Sequence, residues 1–274
     1  MSFTTKIGDI EITAFGDGPF PAPLDSFVEF DRGEIERLTG RGIAETVILP
    51  VNSYLLKLGT KWALVDTGCG PTMGPELGQL PKALAGFGVA PDAIDHVLLT
   101  HIHPDHAMGL ADAAGNAVFP NAELIVHEQE AAFWLDQDAA AGASERISRN
   151  IGKAKTVTAP YRDRMRRVRD GEALPGVTAT LLAGHTPGHT GWLIHSGADA
   201  VLIWGDVVHL PAVQVPRPEA ALVFDVDPQA GTTRRRTFDR VATDRLRVAG
   251  AHLDFPGFGT IERHGTGYRF EPDN

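Results

Sequence analysis

The chain has 274 residues, a formal net charge of −10, 43% hydrophobic and 22% charged residues, and one cysteine. The acidic balance argues against a nucleic-acid partner, because phosphate binding needs a basic surface, and no apolar run approaches the ~20 residues that cross a bilayer. Cys69 alone excludes an intramolecular disulfide and a multi-cysteine metal site.

A chain of this length can bury roughly three quarters of its unfolded surface, so residues 1–274 are expected to form a single domain. Residues 1–8 lack the apolar core of a signal peptide, which makes a cytoplasmic location the expectation. Runs of β-branched and aliphatic residues at 6–15 and 46–57 predict strands, with a proline-rich connection around Phe20-Pro-Ala-Pro23 between them. Residues 62–66 predict a third strand, ending in Asp66-Thr-Gly-Cys-Gly70. There Asp66 is either a turn aspartate or a carboxylate that orients a metal-bound histidine, and Cys69 reads as a small buried thiol rather than a nucleophile. Leu80, Leu84 and Phe87 repeat at helical spacing before Gly88 and predict a short helix.

Residues 95–100 predict a buried strand, and four metal-capable side chains follow it within His101-Ile-His-Pro-Asp-His106. In an extended run His101 and His103 project to the same side. Pro104 then turns the chain, so that Asp105 and His106 point back at the same space. A lone histidine is most simply a core or surface residue, but here that explanation must hold several times within one short loop. Imidazole and carboxylate without thiolate suit zinc, iron, manganese or cobalt.

Residues 122–127 predict a strand and 128–135 a helix carrying Phe133 and Trp134. Residues 139–170 have few apolar positions and no pattern that assigns them an element; the arginines between 162 and 169 are interleaved with Asp163 and Asp170, as on a solvated surface. Residues 176–182 predict a strand, 192–195 and 200–204 a hairpin, 228–246 a helix with Phe238, Val241, Ala242 and Leu246 on one face, and 259–270 a last hairpin. Arg234, Arg235, Arg236, Arg240 and Arg245 are expected on that helix's wet face.

A two-ion hydrolytic site needs more than four protein ligands, and three further apolar strands each deliver one into a turn. His185 follows the strand ending near Leu182, Asp206 follows residues 201–205, and His252 follows residues 246–251. This is how α/β folds place sites at strand C-terminal ends.

The cluster resembles the His-x-His-x-Asp-His signature of the metallo-β-lactamase superfamily, and Asp66-Thr-Gly, His185, Asp206 and His252 follow in matching order. Within it, residues 204–209 and 249–259 look most like the methyl parathion hydrolase and quorum-quenching lactonase branch. The resemblance implies an α/β fold, the four-layer αββα sandwich with mixed sheets, and a homodimer. It implies that His101, His103 and His185 hold one divalent ion, that Asp105, His106 and His252 hold a second, and that Asp206 bridges them, with zinc the expected metal. The family pattern uses His185 and not His189, and His96, His127, His195 and His264 read as structural.

Two such ions can share a water and lower its pKa from 15.7 toward roughly 7, so the expected activity is hydrolysis of an ester, lactone or phosphotriester by a metal-bridging hydroxide. Asp105 or Asp206 would shuttle the proton, with His209 as a further proton donor or oxyanion contact. Trp134, Phe255 and Phe258 are the aromatic residues expected at the rim of the substrate pocket. A glyoxalase-II-like thioesterase shares the ligand set but shows no basic glutathione-binding cluster in this sequence. Zinc β-lactamases commonly use a cysteine on the second metal, and diiron oxidoreductase relatives carry a flavin domain for which this chain has no room.

Overall fold

The computed structural model describes residues 1–28, 30–43, 45–136 and 144–273. Two seven-stranded sheets lie face to face. The first runs β1 (Ser2–Ile7), β2 (Ile10–Pro23), β3 (Thr46–Leu58), β4 (Lys61–Val65), β5 (His96–Leu98), β6 (Glu123–His127) and β7 (Met165–Val168). The second comprises β8 (Gly171–Leu174), β9 (Val177–Leu181), β10 (Thr190–Ser196), β11 (Asp199–Ile203), β12 (Arg247–Ala249), β13 (Phe258–His264) and β14 (Gly267–Pro272), again in chain order. Strands β4 to β7 are mutually parallel, as are β11 and β12, so both sheets are mixed. Among the described residues the helices are α1 (Arg32–Thr39), α2 (Leu80–Phe87), α3 (Pro104–Ala107), α4 (Glu128–Trp134), α5 (Glu145–Thr158), α6 (Pro211–Gln214) and α7 (Ala230–Asp244).

The layering follows from side chains alternating across each strand. Leu55, Leu64, Val97, Leu124 and Val126 face outward onto residues of α2, α4 and α5. Their neighbours Leu56, Ala63, Val65, Leu98 and Ile125 face inward, against Trp192, Ile194, Val201 and Ile203 of the second sheet. On the far side of that sheet Leu202 and Val248 meet Phe238 and Val241 of α7. Burying each Val, Leu, Ile or Phe contributes about 1.5–3 kcal/mol, and both faces of both sheets use it. The product is a four-layer αββα sandwich. No helix among the described residues is long and apolar enough to cross a membrane.

Three features differ from the sequence expectation. The proline-rich stretch after Phe20 is the second half of β2, paired with β3 through Pro19↔Pro50 and Pro21↔Ile48. Strand β1 pairs only with residues 10–15, which leaves the proline-bearing half on the sheet's edge, where a missing N–H costs no ladder bond. Helix α5 occupies a stretch to which the sequence assigns no element; its Ser144 side chain accepts from Ile147 N, and Ile151, Ala154 and Val157 are buried. Residues 139–143 of that stretch lie outside the described ones. Finally, Arg234 is not on the wet face of α7. It is 2% exposed and donates to the carbonyls of Val207, Pro218 and Ala220, whereas Arg235, Arg236, Arg240 and Arg245 are exposed. The arginines after Tyr161 are at the surface as expected, with Arg166, Arg167 and Arg169 paired to Glu123, Asp136 and Glu128.

Candidate metal centre

The strands β4, β5, β11 and β12 end on one rim of the sandwich, and the turns that follow them meet there. After β4, Asp66 sits in the left-handed region at φ 58°. Its carboxylate accepts from Thr100 N and Thr100 Oγ1, both at 2.8 Å, and from His106 Nδ1 at 2.8 Å. One aspartate thus ties the end of β4 to the loop after β5 and to an imidazole on α3. Pro104 opens that helix, with His103 at its N-cap, and the single turn carries Asp105 and His106 back over the loop. On the other sheet, Gly205 at φ 54° lets the chain bend after β11 and present Asp206; a Cβ there would lie 2.8 Å from both His189 Nε2 and Thr100 Cβ.

These turns, with the one after β9 that carries His185, bring all seven candidate ligands together. His101 Nε2, His103 Nδ1 and His185 Nε2 form one group, with 3.1 Å between the first two and 2.8 Å between the last two. Asp105, His106, Asp206 and His252 form a second, with His106 Nε2 3.1 Å from Asp206 Oδ1 and His252 Nε2 3.4 Å from Asp105 Oδ2. Asp206 joins the two, since its Oδ2 lies 3.6 Å from His101 Nε2, 3.3 Å from His185 Nε2 and 3.3 Å from His252 Nε2.

The outer hydrogen bonds show where each ring's Nδ1 proton goes. A carboxylate or carbonyl can only accept, so His106 Nδ1–H donates to Asp66, His185 Nδ1–H to Asp225 at 2.9 Å, and His252 Nδ1–H to Pro50 O at 2.7 Å. Thr100 Oγ1 gives its proton to Asp66 and therefore accepts from His101 Nδ1–H. Each of these four imidazoles thus carries a proton on Nδ1 and turns Nε2 toward the centre, where Asp105 and Asp206 lie. Imidazole nitrogens and carboxylates gathered at one buried spot, with their outer atoms already held, fit a dinuclear metal site. His106 Nε2 and Asp206 Oδ1 are buried and make no hydrogen bond among the described residues.

Burial opposes charge on each of these groups. For His106 and His252 the nearby Asp206 and Asp105 outweigh it, lifting His106 well above the usual histidine value and His252 to about 10. For His101 and His103 burial prevails, and both fall well below that value. Burial alone would raise Asp105 and Asp206, but His106 and His252 hold both well below the ordinary carboxylate range.

His189 stands apart from this set. Its Nδ1–H donates to Leu182 O and its Nε2 accepts from Asp206 N at 3.0 Å, so both nitrogens are engaged, and burial depresses it to about 3. His209 donates through Nε2 to Asp206 Oδ2 at 3.0 Å, stacks on His252, and is pushed down to about 4 by burial despite Asp206. Cys69 is fully buried in its turn, where burial and the adjacent aspartates push the thiol up. His127 and His195 bond to Gln129 N and Thr178 Oγ1, each away from the centre.

Above the cluster lies a cleft of about 160 Å³ lined by Phe20, Leu49, Met73 and Phe224, with Arg146 and Asn150 as the polar residues beyond the candidate ligands and His209. None of the aromatic rings expected at its rim is there. Trp134 is fully buried and donates to Glu130 Oε1; Phe258, 2% exposed, begins β13 on its inward face against Tyr54; Phe255 packs on the same inter-sheet core. Apolar burial claims all three rings, Trp134 packed edge-on against His103 and the two phenylalanines between the sheets. Missed by the sequence reading were Asp225, Arg146 and the lining side chains, which reach the site from irregular loops, from β2 and β3, and from α5.

A model of the metallo-beta-lactamase superfamily matches residues 46–252. The chain belongs to that superfamily. It is 35% identical over 100 residues to the N-acyl homoserine lactonase AiiB of Agrobacterium fabrum, covering 30% of this chain and 34% of that protein. An N-acyl homoserine lactonase of Bacillus sp is 29% identical over 171 residues, 56% of this chain and 61% of that one. The matched stretches therefore span from a third to under two thirds of these relatives. Among solved structures, a hydrolase of the beta-lactamase superfamily, AbOPH, is 32% identical with a TM-score of 0.92, covering 100% of this chain and 97% of that one. AidC, a dizinc quorum-quenching lactonase in complex with a product, is 26% identical with the same TM-score of 0.92 and the same coverage, 100% and 97%.

Proposed function

We propose that this protein is a two-ion hydrolase of lactones and related esters, with zinc as the working metal. The observation that carries the reading is the convergence of four imidazole Nε2 atoms and two carboxylates beneath an apolar cleft. His101, His103 and His185 would hold one ion, Asp105, His106 and His252 the other, and Asp206 both. When bound, the ions would polarise the scissile carbonyl and bring the pKa of a water toward roughly 7. The relatives named as lactonases support a cyclic ester as substrate, and Phe20, Leu49, Met73 and Phe224 suit an apolar substituent on it.

The carboxylates divide the remaining work by exposure. Asp105 is 14% exposed at the cleft floor and Asp206 2%, so Asp105 has the access needed to take a proton at Oδ2 and return it to the leaving oxygen. His209, which donates to Asp206 through Nε2, keeps Nδ1 as an acceptor; we assign it the tasks of holding Asp206 and relaying a proton. Asp225 and Asp66 orient His185 and His106 through their Nδ1–H groups.

The test is turnover by metal-quantified protein against an acyl homoserine lactone, an aryl ester, a phosphotriester and a thioester. Metal-dependent opening of the lactone is expected; loaded protein inert toward both lactone and aryl ester would overturn the reading. Phosphotriester cleavage would extend it, since the same two-ion geometry can serve a phosphoryl oxygen. A glutathione thioester is disfavoured because Arg146 is the one cation among the described cleft-lining residues.

A further inference from the structure

Between the loop of His101 and His103 and the turn of His185 lies a buried carboxylate that the proposed chemistry does not use. Glu130, in the first turn of α4, is 0% exposed. Its Oε1 accepts from Ile102 N at 2.8 Å and from Trp134 Nε1 at 2.7 Å. Its Oε2 accepts from Thr186 Oγ1 at 2.6 Å and from Gly188 N at 3.0 Å. Ile102 is the residue between His101 and His103, and Thr186 comes directly after His185. One carboxylate therefore clasps, atom by atom, the two backbone segments that carry the first group of candidate ligands.

Two further contacts tighten the clasp. Gly188 lies so close to α4 that a Cβ on it would fall 2.0 Å from Glu130 N, which sets the turn directly against the helix. Trp134, held by Oε1, meets the His103 ring edge-on at 5.4 Å between centroids. Among the described residues no arginine or lysine pairs with Glu130. Burying a carboxylate without a cation is costly, and apolar side chains of the same volume usually hold two loops together at least as well. Four correctly placed acceptor contacts do something that apolar packing does not, which is to fix two backbones at one separation and angle.

We propose that Glu130 is a positioning residue that fixes the spacing of His101 and His103 against His185 and thereby sets how tightly that half of the centre holds its ion. The proposal rests on the two-ion reading above, and it singles out one half of the site.

The experiment is a stepwise zinc titration of chelator-stripped protein against a chromophoric competitor, with cobalt(II) absorption as a second readout. Wild type is compared with Glu130→Gln, Thr186→Val, and Leu124→Ala as a control that destabilises the same core cluster away from the loops. Glu130→Gln is expected to weaken one of the two binding steps by about tenfold or more, the scale for residues that support metal ligands, to alter the cobalt spectrum of that step, and to leave the other unchanged. Thr186→Val should move the same step less, and Leu124→Ala should lower the melting temperature without separating the steps. Glu130→Gln binding both ions as wild type does, or weakening both steps equally as Leu124→Ala does, would overturn the proposal. Should Glu130→Gln not fold, Thr186→Val decides alone: one step weakened supports the role, none weakened refutes it. Wild type that takes up fewer than two ions would refute the two-ion reading itself, a result independent of Glu130.

Discussion

Chelator treatment is expected to lower the melting temperature of this protein by at least about 4 °C, a figure that comes from the donor set. With no cation bound, the described side chains that meet the Asp105 and Asp206 carboxylates are imidazoles alone, at 3.0 to 3.6 Å. A buried polar group short of its partners costs about 1–3 kcal/mol, so the two carboxylates cost about 2–6 kcal/mol until a cation joins them. For chains of this size 1 kcal/mol corresponds to roughly 2–4 °C, which gives about 4 °C at the low end and about 24 °C at the high end. The crowding of His101 Nε2, His103 Nδ1 and His185 Nε2 acts in the same direction. The assay is calorimetry at one scan rate on loaded, stripped and reloaded samples, with metal content measured on each. Recovery on reloading separates loss of the ions from damage by the chelator. Stripped protein, shown free of metal, that melts within about 2 °C of the loaded form would refute the reasoning, because the acceptors would then be satisfied by something other than cations.

Asp206→Asn keeps the shape of the shared ligand and removes its charge; it is expected to fold, to lose or weaken an ion, and to drop in turnover at least about a hundredfold, and full occupancy with near-normal turnover would falsify the bridging role. His185→Ala should lose an ion, whereas His189→Ala should retain both with a displaced Asp206, whose amide His189 accepts; elemental analysis of the two variants decides, and unchanged metal in His185→Ala defeats the assignment. Arg234→Met strands the carbonyls of Val207, Pro218 and Ala220 and should cost roughly 3 kcal/mol or more, read as a lower urea midpoint; a midpoint equal to wild type would mean that water replaces the guanidinium. A homodimer is expected from the exposed apolar side chains Val28, Ile48 and Val223, which are 58%, 54% and 42% exposed; light scattering at micromolar concentration that returns the monomer mass rejects it.

Much of the fold was legible because its strands are short apolar runs, each stopped by a turn residue. Residues 62–66, 95–100 and 200–204 read as strands for that reason, and the ligand candidates either end such a run or sit in the turn just beyond it. Elements whose burial is partial were harder to read. Helix α5 shows the core a thin stripe of Ile151, Ala154 and Val157 among lysines, arginines and threonines, so the stretch looks merely polar. The proline-bearing half of β2 looks like a loop because the rule that excludes proline from strands holds for central strands, and this half is an edge. Arg234 was placed on the wet face by the company it keeps. It is buried by the run of carbonyls at 207, 218 and 220, and no pattern within a helix reports where another loop's carbonyls point.

Two kinds of residue in the candidate centre differ in the same way. Ligand candidates announce themselves by chemistry at a strand end, because imidazole and carboxylate at a buried rim have few other uses. The side chains that hold them give no such signal: Asp225 meets His185 across 40 positions in sequence, and Glu130 meets Ile102 across 28. Each is an ordinary carboxylate in its own segment and becomes informative only when its acceptor oxygens are seen facing a histidine N–H or the amide beside one. The cleft is less legible still. Its floor is set by the ligands, but its walls come from β2, β3, α5 and the loops of Met73 and Phe224, elements that depend on the packing of the whole sandwich. A sequence of this kind therefore states its reaction type through the floor of the site and leaves its choice of substrate to walls that only the assembled fold brings together.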